Sequence, residues 1–276
     1  QGNLARDLGY LARADDGRTL ARGLIEGAPP EPIREVRRGM DALAGGPALD
    51  DVVADLQRCL LRGDLSAANR LGKALGPLAE QYDLIMMDSP PGEALLHAAA
   101  IRAAHYVLIP TQPDAASLDG IGQVADIVVR EADYNPYLEV LGVVLGPIPG
   151  LSSWTQRDSA NPRKQKQSAI ARDARKELAA MLGDTIPVFT TAIRDAKKIA
   201  VDCRQRGDLA IEYEDAAANA KPWWKLRADG DTAAQTFSSA AANLAEDYRR
   251  LAEEVFGRFL ERQTIYYDQI AAKQQA

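Results

Sequence analysis

Four short apolar runs separated by helix-length stretches limit this chain to a narrow choice of folds. The stretch "YDLIMMDSPP" carries Leu84 to Met87 as a continuous apolar run closed by Asp88 and two prolines, the pattern of a short strand buried on both faces. "HYVLIPTQP", "LEVLGVVLGPIPG" and "TIPVFTTAI" repeat the theme. Between them stand "GEALLHAAAIRAA", "SLDGIGQVADIVVREA" and "SAIARDARKELAAML", of helix-forming composition and long enough to cross over. Such alternation predicts an α/β fold, a parallel sheet covered by helices on both faces.

In sheets of this kind the ligand sits beyond the carboxyl ends of the strands, where Asp88, Thr111–Gln112 and Arg194 fall. A carboxylate in that position holds magnesium on a triphosphate through water, because magnesium keeps part of its hydration shell. A helix-capping role for Asp88 fits the same residues. Upstream, "TLARGLIEG", "ALDDVVADLQRCLL" and "SAANRLGKALGPLAEQ" read as helices, with "MDALAGG" a strand between the first two. After Tyr213 the character changes. "DAAANAKPWWKLRADGD" reads as a polar linker, and then Phe237, Ala241, Leu244, Tyr248, Leu251 and Val255 recur at spacings of four and three. That apolar stripe belongs to a long helix, packed on the body or on a second copy.

Charge narrows the partners. The chain carries a net −6, yet residues 154–206 hold twelve Lys and Arg against six Asp and Glu, a segment of +6 on an acidic remainder. This is either a footprint for phosphate backbone or a pair of solvated helix faces. No apolar run approaches the roughly 20 residues that span a bilayer. Cys59 and Cys203 lie far apart without a CxxC partner, which suits a reducing cytoplasm, and two histidines are too few for a histidine-based metal site. The Ala-, Arg-, Gly- and Asp-rich usage suggests a bacterial source.

"QGNLARDLG" at the start, followed by "YDLIMMDSPP", "AAHYVLIPTQP" and "IEYE", resembles in order and spacing the ParA/Soj family of partition ATPases, deviant-Walker relatives of MinD. The family's second strand ends in D-x-D-P-Q-G-N, and here Gln1-Gly2-Asn3 stand at its Q-G-N, with Leu8-Gly9 completing the match. The likeness implies that residues 1–214 form a P-loop NTPase domain of the deviant-Walker type, and that 215–276 form a linker and a C-terminal helical extension. It also implies that a strand, a phosphate loop and a helix stand ahead of Gln1. Departures occur at Gly92, Ala99 and His105, where the family has Ser, Asn and an acidic residue; His105 reads as a strand-entry residue.

The resemblance implies ATP and Mg2+ as ligands, with Asp88 coordinating magnesium through water and Gly2, Asn3, Pro90, Pro91 and Arg194 near the nucleotide. Arg194 borders the adenine on this view; otherwise it is an exposed arginine at a helix start. It further implies an ATP-bound homodimer that binds double-stranded DNA without sequence preference through Arg163, Lys164, Lys166, Lys197, Lys198, Arg204 and Arg206, and a ParB-like partner that stimulates hydrolysis. The absence of aromatics among those basic residues favours duplex backbone over stacked bases. The expected location is the bacterial cytoplasm, on the nucleoid and not the membrane. Two alternatives remain open: a truncated, non-catalytic DNA- or partner-binding protein, and a MinD-like positioning ATPase. The latter needs a basic amphipathic tail, which the nearly uncharged "TIYYDQIAAKQQA" does not provide.

Overall fold

A computed structural model describes residues 3–89, 93–151, 169–183, 186–221 and 237–275. They divide into two compact units, one of Gln1–Val107, Val124–Glu139 and Arg204–Gly207, the other of Leu108–Gln123, Val140–Cys203 and Asp208–Ala276.

The first unit is built on helices α1 (Asn3–Asp7), α2 (Arg18–Glu26), α3 (Leu49–Leu61), α4 (Arg70–Ala79) and α5 (Ala94–Ala103). In α3, apolar residues recur at 49, 52, 56 and 59, so one face turns inward. Asp50 and Asp51 occupy the first turn and Arg58 the last, the polarity that complements a helix dipole. Val52 and Leu56 pack with Ala21, Leu24, Ala67 and Ala74 into one apolar cluster. A second cluster joins Ala5 and Tyr10 to Val36, Ala42 and Ala44. It lies against the hairpin β1 (Ile33–Arg37) and β2 (Met40–Ala42), which pair antiparallel across Arg38–Gly39. The strand expected within "MDALAGG" is β2; its partner β1 carries too many charges to have signalled itself.

The second unit contains the main sheet. Its strands β3 (Tyr106–Thr111, begun in the first unit), β4 (Glu139–Ile148) and β5 (Val188–Arg194) lie in the order β3-β4-β5, with β4 and β5 parallel. The middle strand buries five consecutive residues, Leu141 to Leu145, as a strand covered on both faces must. On β3 burial alternates towards the end, with Leu108 and Pro110 exposed and Ile109 and Thr111 buried; a proline there fits a strand at an edge of the described sheet. Helices α6 (Ala115–Ala132) and α7 (Ala169–Leu182) are the expected crossovers. Helices α8 (Lys197–Arg206), α9 (Ala210–Asn219) and α10 (Ala241–Gln275) follow β5.

Two expectations are corrected. Residues 84–88 form no strand, and Met86 is 80% exposed. A strand exists only through its ladder, and no described segment pairs with this one. The polar linker expected from Asp215 starts later, because α9 runs on through the helix-forming Ala216–Ala218 to Asn219. Its N-terminus is closed by Glu212, whose carboxylate accepts from Leu209 N at 2.7 Å.

The apolar stripe after Phe237 packs mainly within its own unit. Ala241, Leu244 and Ala245 are buried, and α10 lies against α9 and β5. That packing solves a problem in β5. From Val143↔Val188 to Leu145↔Ala192, β5 advances four positions while β4 advances two, so the stretch around Phe189–Thr191 bulges out of the ladder. Side chains satisfy its backbone. Arg175 of α7 donates to Phe189 O (3.3 Å) and Thr190 O (2.6 Å). Glu254 of α10 accepts from Thr190 N (2.6 Å), Thr190 Oγ1 (2.8 Å) and Thr191 N (2.9 Å). Burial pulls the Arg175 pKa down, and the Glu254 charge opposes that shift. Glu254→Ala removes the acceptor for both N–H groups, one on the buried Thr191, and is expected to lower unfolding stability by about 1–3 kcal/mol. Urea denaturation checks this; an unchanged midpoint would show that water replaces the carboxylate without cost.

Candidate functional site

Asp88 ends the unladdered stretch 84–88 in the first unit. The chain enters this stretch through Tyr82, whose hydroxyl donates to Asp41 Oδ2 (2.5 Å) and accepts from Arg34 (2.8 Å). Asp41 also accepts from Glu35 N at 2.7 Å. The Tyr82 hydrogen bond, followed by that of Glu35 N, holds the Asp41 carboxyl below its usual range, and the same bond pushes the Tyr82 phenol up. The entrance to Asp88 is therefore tied to the β1–β2 hairpin. Asp88 itself is exposed, with no hydrogen-bond or ion-pair partner among the described residues. A carboxylate open in this way fits a magnesium ion held through water. Among the described residues no three His, Cys, Asp or Glu stand together as a metal site; magnesium shared between one carboxylate, water and phosphates does not require one.

Of the other residues assigned to the nucleotide, Asn3 is exposed and opens α1, while Gly2, Pro90 and Pro91 lie outside the described residues. Arg194 closes β5 and is only 8% exposed, so it is not an exposed helix-start arginine. Its guanidinium is committed to Asp247 of α10, Nε donating to Oδ2 at 2.6 Å and Nη2 to Oδ1 at 2.8 Å, and its own backbone N donates to Oδ2 at 3.0 Å. Asp247 is fully buried. Such a pair is sustained only by complete hydrogen bonding, and this one also fastens the end of β5 to α10. Next to it, Asp195 N donates to Ile148 O at 2.9 Å, so the carboxyl ends of β4 and β5 are level. Thr111 at the end of β3 is buried, its hydroxyl within reach of Gln112 O and Ser117 O.

The basic residues fall mostly on α8. Ile199 turns inward and is buried, while Lys197, Lys198, Val201, Arg204 and Gln205 are exposed. At 100° per residue Lys197, Lys198 and Arg204 share one sector. Arg206, nine positions from Lys197, projects from the opposite side, and the four do not form a single row. Lys197 is 87% exposed with Asp195 at 3.7 Å. Arg204 is engaged by Asp7 of α1, Nε to Oδ1 at 2.6 Å and Nη2 to Oδ2 at 3.0 Å. Arg163, Lys164 and Lys166 lie outside the described residues.

Sequence reasoning overlooked Asp7, Asp247 and Glu254. The signal for Asp247 was present: it interrupts the stripe of Leu244, Tyr248 and Leu251, and a carboxylate among core-facing positions needs a buried cation.

Comparison with known proteins points the same way. A family described as AAA domain matches residues 49–140. The chromosome-partitioning ATPase Soj of Thermus thermophilus is 30% identical over 192 residues, covering 67% of this chain and 71% of that protein. This chain belongs to the ParA/Soj family. A ParA family protein of Chlamydia muridarum is 32% identical over 177 residues, 58% of this chain. The chain spans 64% of the length of that family member and 52% of a Pseudomonas putida relative. Among solved structures, apo McdA of Cyanthece superposes with a TM-score of 0.59 at 18% identity, covering 76% of each chain. Cobyrinic acid a,c-diamide synthase of Mycobacterium smegmatis with bound ADP and magnesium gives 0.56 at 21%, covering 80% of this chain and 82% of that one. These two show the shared fold, a P-loop NTPase-like sheet flanked by helices.

Asp247→Ala is expected to leave the Arg194 guanidinium buried and unpaired at a cost of about 3–5 kcal/mol, a large part of the roughly 5–15 kcal/mol that holds a typical domain. Thermal unfolding of the variant reads this directly, and a melting temperature equal to wild type would show the pair to be dispensable.

Proposed function

We propose that this family member is a ParA-like positioning ATPase: with Mg-ATP bound it dimerises, holds nucleoid DNA without sequence preference, and hydrolyses ATP when a ParB-like partner stimulates it. The observation that carries the reading is the 30% identity to a chromosome-partitioning ATPase over two thirds of the chain. The exposed cationic sector of α8, Lys197, Lys198 and Arg204, supports the DNA component. Magnesium supplies charge neutralisation on the transferred phosphoryl group. Asp88 would hold it through water with an uncommitted carboxylate, and Asn3, exposed at the start of α1, would contribute to the nucleotide site. Arg194 acts indirectly, as a strut that fixes the carboxyl end of β5 while its charge is spent on Asp247.

The cargo need not be a replicon. The maintenance of carboxysome distribution protein A of Synechococcus elongatus is 29% identical over 140 residues, 51% of this chain and 52% of that protein. A positioning ATPase that carries another body across the nucleoid is the second reading.

In the full-length protein, Asp88→Ala is expected to weaken magnesium-dependent nucleotide binding and abolish turnover. Lys197→Glu with Lys198→Glu is expected to weaken binding to any duplex and to flatten the plot of log K against log salt by about 0.9 for each phosphate left without its cation, with DNA-independent hydrolysis intact. Loss confined to particular sequences would argue for base readout and against a backbone grip. Wild-type duplex affinity in the double variant at low salt would remove the DNA component.

A further inference from the structure

Among the cations assigned to DNA, Arg204 is distinguished by what already holds it. Its guanidinium makes two parallel hydrogen bonds to the Asp7 carboxylate, at 2.6 and 3.0 Å, the planar fork that guanidinium also offers to a phosphate. Both side chains remain partly open to solvent, 52% and 39% exposed, so a phosphate can reach the same fork.

The pair is registered by the backbone beneath it. Gly9 and Gly207 adopt left-handed conformations, φ +67° and +68°, and cross so closely that a Cβ on Gly207 would stand only 2.4 Å from Gly9 Cα. Arg37 reaches both strands of this crossing, donating to Leu8 O at 2.8 Å and to Gly207 O. Two residues before Gly9 stands Asp7, and three before Gly207 stands Arg204. The crossing therefore sets the distance between carboxylate and guanidinium, which does not depend on two long side chains finding each other.

We infer that Asp7 is a built-in competitor of DNA phosphate for Arg204, an autoinhibitory interaction that lowers duplex affinity until it opens. The inference rests on the DNA-binding reading of α8 given above. With Asp7 in place the outer end of the cationic sector is locally neutral, and the lysines of its first turn are left to meet the backbone. With the fork released, one more phosphate is neutralised and one anion is withdrawn from the surface.

The test uses the full-length protein and a duplex of arbitrary sequence about two helical turns long, with binding read by fluorescence anisotropy between roughly 50 and 200 mM KCl. Asp7→Asn keeps the shape of the side chain and removes its charge. It is expected to tighten binding by about fivefold at low salt, the upper range for an exposed bidentate pair, and to steepen the salt slope by about 0.9. In an Arg204→Gln background the same substitution is expected to change neither quantity. A gain that persists in that background overturns the inference, because it would come from general charge removal. So does unchanged affinity and slope in Asp7→Asn when the Lys197, Lys198 double variant still weakens binding. If wild type and every variant fail to bind duplex, the DNA reading itself falls, and the inference with it. Asp7→Ser, which also lacks the fork acceptor, gives the same expected gain should Asp7→Asn unfold.

Discussion

The buried pair of Arg194 and Asp247 is the constraint around which the second unit is organised. A fully buried carboxylate is tolerable only when it is well hydrogen-bonded, and here a single residue supplies three donors to it. The geometry fixes where α10 can lie on the sheet. Seven residues further along the same helix, Glu254 arrives at the bulged part of β5 and accepts the N–H groups that the ladder leaves over. Four residues beyond that, Arg258 donates to Leu141 O at 2.7 Å. Three polar side chains at helical spacing thus stitch one helix to two strands, and apolar burial fills the space between.

Polar stitching of this kind also explains how α9 is positioned. Tyr213 is buried and meets Phe237 edge to face at 5.1 Å between ring centroids. Its hydroxyl donates to Asp202 of α8 at 2.9 Å and accepts from Ser238 N at 3.2 Å. Burial raises its pKa, so it stays a donor across the physiological range. One aromatic residue thereby links the helix that follows β5 to the start of α10.

The sequence made the helices and three of the four apolar strands legible because each carries its own period or its own unbroken run. Val143 and Leu145 sit where the continuous run placed them. Leu84–Met87 carry an equally good run and form no ladder, because strand formation depends on a neighbour and a local pattern cannot supply one. Chemistry was legible to a similar depth. Family membership was readable from the order of short motifs, while Asp88, Lys197 and Lys198 are exposed and their roles remain a proposal. Missing were the pairings: nothing local in "NLARD" points to an arginine 197 residues away, and nothing in "IRDAKK" reveals that its arginine is already spent on Asp247.

The crossing of Gly9 and Gly207 has a cost in time. It joins the beginning of the chain to a segment synthesised after nearly all of the main sheet, with Arg37 bridging a separation of 170 residues. Translation at roughly 5–20 residues per second leaves the N-terminal carbonyls and the Asp7 carboxylate waiting on the order of ten seconds or more for their partners. Closure of so long a loop is repaid only once its contacts form, which slows folding. The contacts of Asp7 and Arg37 with residues 204–207 are therefore among the last of the first unit to form, whereas the cluster of Ala5, Tyr10, Val36, Ala42 and Ala44 needs only residues close in sequence.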